Sequence, residues 1–315
     1  MLRVLQRSMN FAGLPRTCDP VGLYPAHISC FRWDSVMDMS DASLLNLKSA
    51  IYQDKVYSAL NQLRDRTYTR DSLHLTLSEL RVFSQNGEDG VLFDLINLLG
   101  IEVGYFVEVG TGDGWSCNCR ILAESLGWPG VFVEADSEDY SALSERYSQT
   151  SRVHTLNSYV TPENFSELLT NSLVPKDFDV LSLDVDGQDF HIWEEMSSTF
   201  QPKIVIIEVN SALSSSLKVV EKRGISSSNS LTETWGASIS AICALAESKG
   251  YTALHVEQAG ANLFAVRNDV FTTISGRVRG VLDRSANFSL LGKNHSRQVL
   301  FSGGESPNRE QVSLD

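Results

Sequence analysis

Cysteine is scarce in this sequence, and its positions follow no pattern. The 315 residues include five cysteines and no C-x-x-C pair. An odd, scattered set predicts neither a disulfide framework nor a structural zinc site. Long apolar runs are also absent, since none approaches the length that a membrane-spanning helix needs. These absences favour a cytoplasmic protein that does not act in a membrane.

Basic residues are outnumbered by acidic ones. The chain has 26 Lys and Arg against 39 Asp and Glu, which gives a formal net charge of −13. A nucleic-acid partner would be repelled unless a local basic patch compensated. The largest basic groups, such as Lys218 to Arg223, are small and include Glu221. The sequence therefore predicts no nucleic-acid partner and favours a small-molecule substrate.

A glycine-rich turn follows a short apolar run. Tyr105–Val109 is typical of a buried parallel strand and carries Glu108 near its end. Gly110, Gly112 and Gly114 follow at every second position. Glycines in this place let the backbone turn sharply and approach a ligand closely. Because open α/β sheets bind ligands at the carboxyl ends of their strands, this turn is a candidate ligand site.

A second strand extends the pattern. After helical spacing over Cys117–Gly127, the run Val131–Val133 ends in Glu134, 20 residues beyond Gly114. A carboxylate can accept two hydrogen bonds from the vicinal diol of a ribose. Strand, glycine turn, helix, strand and acid together predict a nucleoside-cofactor site.

Further acids follow two later strands. Phe178–Asp184 is predicted as the fourth strand and Lys203–Val209 as the fifth, with Glu208 near its end. The fourth strand leads into an Asp-Val-Asp-Gly segment that contains Asp186. In an extended chain, Asp184 and Asp186 would point the same way. Such a pair could bind a divalent cation or raise each other's pKa.

The order E-x-G-x-G-x-G resembles motif I of the S-adenosylmethionine-dependent methyltransferases, whereas the nicotinamide fingerprint is G-x-G-x-x-G. The segments Phe83–Gly90, Asp184–Gly187 and Gly236–Ser238 extend the resemblance to the FkbM-like branch. It spans roughly residues 82 to 271. One departure is that many FkbM-like members have Asp-x-Glu-Gly where this chain has Asp184-Val185-Asp186-Gly187, with a shorter carboxylate at Asp186.

The resemblance implies roles for the residues of the glycine turn. Gly110, Gly112 and Gly114 would pass under the methionine part of S-adenosylmethionine, and Glu134 would bind its ribose. Glu108 would shape the base of the loop. The third predicted strand, Val153–Asn157, ends where this family holds the adenine ring. Weaker cofactor-binding candidates there are Asn157, Ser158 and Tyr159, and Asp184 at the end of the fourth strand is a further cofactor-binding candidate.

The resemblance also implies transfer of a methyl group, with a preference for oxygen of a sugar-containing or other small polar acceptor. An alcohol acceptor needs a base or a metal that acidifies its hydroxyl. The candidates at the ends of the fourth and fifth strands are Asp184, Asp186, His191 and Glu208. A divalent cation bound by the three acids is one interpretation. Turn chemistry at Asp186, a helix cap at Asp189 and packing at His191 are the alternatives.

Two other classes of function remain open. One is a nucleotide-cofactor oxidoreductase of the NAD type on a similar sheet, against which the early third glycine argues. The other is a catalytically silent chain that binds the cofactor, or nothing, and acts as an interaction module.

Three parts are predicted along the chain. Residues 1–78 form an N-terminal helical extension, with helical spacing over Ala42–Leu63, that covers the site or forms a homodimer interface. Arginines without acids near its start also fit a targeting segment. Residues 79–272 alternate strand and helix as a doubly wound α/β domain, expected to be the Rossmann-like seven-stranded methyltransferase sheet. Ser211–Asn229 is predicted as a long loop, and residues 273–315 as a largely disordered tail. Tyr251–Val256 and Asn262–Arg267 are predicted as two strands of a hairpin that closes one edge of the sheet.

Overall fold

The computed structural model describes residues 41–66, 72–214, 216–224, 236–287 and 309–312. The chain divides into two units, residues 1–52 and 53–315. Helix α1, Asp41–Arg64, agrees with the predicted helix over Ala42–Leu63. The predictions for residues 1–40 lie outside the described residues, and the role of the extension as a cover or dimer interface stays a prediction.

The strands of the described residues correspond well to the apolar runs of the sequence. The third predicted strand and the final hairpin have the predicted bounds, and the fourth and fifth strands are shorter by one or two residues at each end. The strands are β1 (Leu73–His74), β2 (Phe106–Val109), β3 (Gly130–Glu134), β4 (Val153–Asn157), β5 (Val180–Leu183), β6 (Ile204–Glu208), β7 (Val219–Glu221), β8 (Tyr251–Val256), β9 (Asn262–Arg267), β10 (Val278–Arg279) and β11 (Arg309–Gln311).

Helices connect these strands. The predicted helix over Cys117–Gly127 contains a short π-helix, Ile121–Ser125, and Gly127 follows it with a positive φ of 68°. The α-helices after α1 are α2 (Leu75–Ser78), α3 (Glu88–Leu99), α4 (Ser137–Tyr147), α5 (Phe165–Asn171), α6 (Asp189–Glu195), α7 (Ile239–Ser248) and α8 (Asn268–Phe271).

Seven strands form one sheet in the order β4-β3-β2-β5-β6-β9-β8. Neighbours from β4 to β6 are parallel, whereas β9 is antiparallel to both β6 and β8. Every residue of β2, β3, β5 and β6 is buried, as expected of parallel strands covered on both faces. The sheet confirms the predicted Rossmann-like α/β fold.

Two hydrophobic layers cover the faces of the sheet. One layer includes Phe165 of α5, Trp193 of α6 and Ile242 of α7. The other includes Leu92 of α3 and Leu143 of α4. The strand order reverses at β2, whose neighbours are β3 and β5. In open α/β sheets the crevice at this reversal, at the carboxyl ends of the strands, is the usual ligand site.

Two short pairings differ from the expected loop and tail. The loop after β6 contains β7, which pairs antiparallel with β11, and β10 pairs parallel with β1. Within the predicted tail, the described residues 273–287 include the two-residue strand β10 and residues 309–312 include β11, and the other residues of the tail lie outside the described part. Such pairings join segments far apart in sequence, and short polar runs do not reveal them. In the described residues, no helix is both long and apolar enough to cross a bilayer.

Candidate active site

The glycine turn lies directly against the end of β5. Gly110 donates its N–H to the Val133 carbonyl at 3.0 Å, and Asp184 donates its N–H to the Val109 carbonyl at 3.1 Å. A Cβ atom on Gly110 would lie 1.6 Å from the Asp184 carbonyl oxygen, and its φ of 81° is positive. Only glycine allows this approach of the two backbones. The turn and the fourth-strand acid therefore lie side by side.

Gly112 and Glu134 are in direct contact. The Gly112 N–H donates to Glu134 Oε2 at 2.7 Å, and the Asp136 N–H donates to Oε1 at 2.7 Å. Gly112 has a φ of 55°, and a Cβ atom there would meet no protein atom within 4 Å. The space beside Gly112 is thus open, and it adjoins the carboxylate that the sequence assigned to a ribose.

The candidates at the end of β4 lie next to Glu134. Asn157 pairs with Glu134 in the sheet and donates its Nδ2 to the Glu134 carbonyl at 2.9 Å. Ser158 donates its N–H to the same carbonyl at 3.0 Å. The Tyr159 side chain is 64% exposed at this edge. These three residues therefore belong to the same side of the crevice as the second-strand acid.

Glu108 holds the segment that follows the glycine turn. Its Oε1 accepts the Asn118 N–H and its Oε2 accepts the Cys119 N–H, both at 2.7 Å. Burial raises its pKa to about 7, although these two bonds oppose the rise. The Glu108 side chain is only 2% exposed and so lies behind this segment, and the role toward the cofactor that the resemblance implied stays a prediction.

Asp184 and Glu208 come together at the carboxyl ends of adjacent strands. Leu183 of β5 pairs with Ile207 of β6, so the next residue on each strand lies at the same level. Neighbouring strands are about 4.8 Å apart. Removal from water, with the nearby acids Asp189 and Asp186, raises the pKa of Asp184. An acid in this position can accept a proton from a bound hydroxyl.

Asp186 does not align with Asp184 as the sequence suggested. β5 ends at Leu183, and Asp186 has a left-handed φ of 56°. The extended conformation on which the alignment depended therefore stops before Asp186. The buried Asp189 side chain fixes this turn, since it accepts the Val185 N–H at 2.9 Å and the Gly187 N–H at 3.0 Å.

The cation interpretation does not fit the described residues. They include no group of three or more His, Cys, Asp or Glu side chains arranged to hold a metal ion. Asp184, Asp186 and Glu208 thus do not form a ligand set, because the turn at Asp186 directs the chain away from the strand. No step of the chemistry is assigned to a cation.

The His191 imidazole is buried and engaged. Its Nε2 lies 2.8 Å from the Glu221 carbonyl oxygen, and its Nδ1 lies 3.4 Å from a Glu194 carboxylate oxygen. The ring therefore attaches β7 to α6. A role as general base would require one of these contacts to break, and that role stays a prediction.

Sequence reasoning missed the roles of two buried acids in the first turn of α3, Glu88 and Asp89. Asp89 Oδ2 accepts the N–H groups of Val82, Phe83 and Ser84 at 2.7 to 2.8 Å and so holds the loop before α3. Glu88, in the first turn of α3, contacts Asn86 and Asn262. The segment Phe83–Gly90 was singled out only as part of a resemblance. The signal present in the sequence was a pair of adjacent acids after a polar turn.

Buried acids with raised pKa values predict an unusual dependence of stability on pH. Burial raises the pKa of Asp89 and of Asp189 to about 6, and that of Glu108 to about 7. Between its unfolded and folded pKa, each group holds a proton in the folded protein that the unfolded chain has lost. This stabilisation is complete below about pH 4 and is lost as the pH rises through 6 to 7. We therefore expect the contribution of these acids to the free energy of unfolding to be smaller at pH 8 than at pH 5.

Urea unfolding at the two pH values measures the effect. Glu108→Gln should reduce the difference between pH 5 and pH 8 by about 2–3 kcal/mol, given about 1.4 kcal/mol per pKa unit. Any change in the free energy of unfolding that the substitution causes equally at both pH values cancels in this comparison. An unchanged difference in the variant would contradict the raised pKa of Glu108.

Comparisons with known proteins add little at the level of sequence. No family model matches the chain, and no curated protein matches it. Among solved structures, it is similar to a putative sarcosine dimethylglycine methyltransferase from Galdieria sulphuraria, at 15% identity over 53% of this chain and 62% of that one, with a TM-score of 0.34. That match spans less than two thirds of the other protein.

Two further solved structures show similar values. A SAM-dependent methyltransferase from Aquifex aeolicus is 13% identical over 55% of this chain and 87% of that one, with a TM-score of 0.34. The N-terminal domain of EvdMO1 with SAH bound is 14% identical over 55% and 77%, with a TM-score of 0.38. Such low values transfer no activity to this chain, so its function is inferred from its own residues.

Proposed function

We propose that the chain is an S-adenosylmethionine-dependent methyltransferase of the FkbM-like branch, which methylates an oxygen of a sugar-containing or other small polar acceptor. Three features support this: the glycine turn at the end of β2, the acid at the end of β3, and the acids at the ends of β5 and β6. The branch and the preference for oxygen rest on the resemblance of sequence motifs.

The contact between Gly112 and Glu134 is the observation that carries the proposal. It joins the glycine turn to the second-strand acid at 2.7 Å, beside a space that no protein atom fills. A carboxylate oxygen can accept more than one hydrogen bond. Glu134 can therefore keep its backbone donors and still accept a ribose hydroxyl from a nucleoside in that space.

The residues at the ends of β5 and β6 act on the acceptor. When bound, the cofactor supplies an activated methyl group, so that the protein mainly has to align an acceptor oxygen with it. Asp184 and Glu208 lie where they can orient a hydroxyl by accepting its hydrogen bond. Burial and the neighbouring acids Asp189 and Asp186 raise the pKa of Asp184, which makes its carboxylate a stronger base toward such a proton than an exposed aspartate is.

Calorimetric titration separates this proposal from the other classes of function. We expect S-adenosylhomocysteine and S-adenosylmethionine to bind with a stoichiometry near one, and NADH not to bind. Binding of NADH alone would favour the oxidoreductase. Binding of none of the three would favour an interaction module and contradict the proposal.

Glu134 supplies a sharper test of the ribose site. We expect Glu134→Ala to weaken S-adenosylhomocysteine binding by about 1.5–3 kcal/mol, the range for hydrogen bonds to charged groups. Analogues without the ribose hydroxyls should bind the wild type more weakly but lose little further affinity in the variant. If the two losses add fully, Glu134 does not accept the diol. Glu138→Ala, an exposed acid of α4, is the matched control.

A further inference from the structure

A group of amides and carboxylates adjoins the ends of β6 and β9. We call it the amide–carboxylate cluster, and it consists of Asn86, Glu88, Glu257 and Asn262. Glu88 Oε1 accepts hydrogen bonds from Asn86 Nδ2 at 2.9 Å and from Asn262 Nδ2 at 3.0 Å, and Glu88 Oε2 accepts the Asn86 N–H at 2.8 Å. Glu88 and Glu257 are both fully buried.

Both amides of the cluster have an oxygen without a donor. Asn86 Oδ1 and Asn262 Oδ1 are buried, and neither has a hydrogen-bond partner in the described part of the chain. Their orientation is fixed, because both Nδ2 groups must face the acceptor oxygen of Glu88. A buried acceptor that lacks a donor costs about 1–3 kcal/mol. Asn262 is only 4% exposed, so water from outside does not reach it easily.

The cluster also lacks a positive charge. The ion pairs found among the described residues include neither Glu88 nor Glu257. Glu257 is held by backbone N–H groups, including those of Ala259 and Ala261. Burial, with Glu88 nearby, raises the pKa of Glu257. A bound anion would be repelled here, whereas a cation with several N–H donors would satisfy both the charge and the free oxygens.

The position of the cluster connects it to the proposed chemistry. Asn262 pairs with Glu208 across β6 and β9, and Glu208 lies beside Asp184 at the ends of β5 and β6. A group bound by Asn262 would thus lie beside the acids at the strand ends that are proposed to orient the acceptor. Asn86 is partly exposed, so a ligand would enter the cluster from the direction of Asn86.

We propose that the amide–carboxylate cluster binds a protonated amino group of the methyl acceptor. An ammonium group offers three donors and no acceptor, which matches the two amide oxygens and the carboxylate of Glu88. The acceptor class is therefore a small amine-bearing molecule, such as an amino sugar, and not a phosphorylated or carboxylated one. This inference rests on the proposed function, because it names the substrate of the same site.

The test begins with S-adenosylhomocysteine binding to the full chain, which must succeed if the proposed function holds. The loaded protein is then titrated with glucosamine, N-acetylglucosamine, glucose 6-phosphate, ethanolamine and methylammonium. We expect glucosamine to bind at least tenfold more tightly than its N-acetyl form, and the phosphate not to bind. Equal binding of the first two sugars, tighter binding of the phosphate, or no binding of any amine to the loaded protein would overturn the inference alone.

Two variants locate the effect. Asn262→Leu keeps the approximate volume but removes the amide, so it should weaken glucosamine binding at least tenfold and change S-adenosylhomocysteine affinity less than twofold. Asn86→Ala tests the same cluster should the first variant not fold. Asn97→Ala, at the exposed opposite end of α3, is the matched control. Unchanged glucosamine affinity in a folded cluster variant would contradict the proposal.

Discussion

Replacing Asp184 with asparagine should reduce turnover by about 10²- to 10⁴-fold, the usual contribution of a general base. Asparagine has nearly the same shape but cannot take a proton from an acceptor hydroxyl. Since that interaction matters mainly in the transition state, S-adenosylhomocysteine affinity should change less than threefold. Steady-state kinetics with an acceptor identified by the titrations described above measure turnover, and calorimetry measures the S-adenosylhomocysteine affinity.

Asp177→Asn provides the control for this variant. Asp177 precedes β5 at the opposite end of the sheet, where it pairs with Arg267 at 2.6 Å. Loss of the Asp177 carboxylate should keep turnover within about twofold of the wild-type value, because exposed ion pairs contribute little to stability. If Asp184→Asn weakens S-adenosylhomocysteine binding as much as turnover, Asp184 is a binding residue. If turnover is unchanged, the proposed site of methyl transfer is wrong.

Gly112→Val should abolish S-adenosylhomocysteine binding, with at least a 100-fold loss of affinity in a folded protein. The space into which the valine side chain would project contains no protein atom within 4 Å, so the fold has no steric reason to reject it. The nucleoside is expected in that same space. The substitution should still lower the free energy of unfolding by roughly 1–2 kcal/mol, because a residue with a Cβ atom is strained at the left-handed φ of 55°.

Gly100→Val is the matched control for backbone strain. Gly100 ends α3 with a φ of 69°, and a Cβ atom there likewise meets nothing within 4 Å. Both variants should therefore lose comparable stability in thermal unfolding, while only Gly112→Val loses the ligand. Unchanged affinity in folded Gly112→Val would mean that the glycine turn does not bind the cofactor.

The sequence predicted those elements whose signals are local. The hairpin of β8 and β9 has the predicted bounds, because its two strands are largely apolar and are separated by turn residues that include Gly260. The strand β4 also has the predicted bounds. The proximity of Gly110 to Asp184 could also be anticipated, since parallel strands end at the same edge of a sheet.

Other features needed the three-dimensional structure. β7 and β11 are three residues each, and their pairing joins positions about ninety residues apart. No local pattern records such a partner. Asp186 was misjudged for a related reason, since its alignment with Asp184 required the chain to stay extended. The chain instead turns there, because Asp189 accepts the backbone N–H groups of the segment.

The roles of Asp89 and Asn262 were equally hidden. Acids in a polar segment are usually solvated, and only coordinates show that Asp89 accepts three backbone N–H groups. Asn262 opens a strand, where an amide is unremarkable in sequence. Its contact with Glu88 spans 174 residues of chain.

The carboxylates that hold backbone N–H groups have a consequence for how ligands bind. Asp89, Glu108 and Asp189 each bind two or more N–H groups of a loop beside the crevice. These loops are thereby ordered by the chain's own side chains, so little conformational entropy is left for a ligand to remove. Preorganised sites avoid the ordering cost that otherwise reduces affinity. Association at this crevice would therefore resemble the docking of rigid surfaces, without an induced-fit step in these three loops.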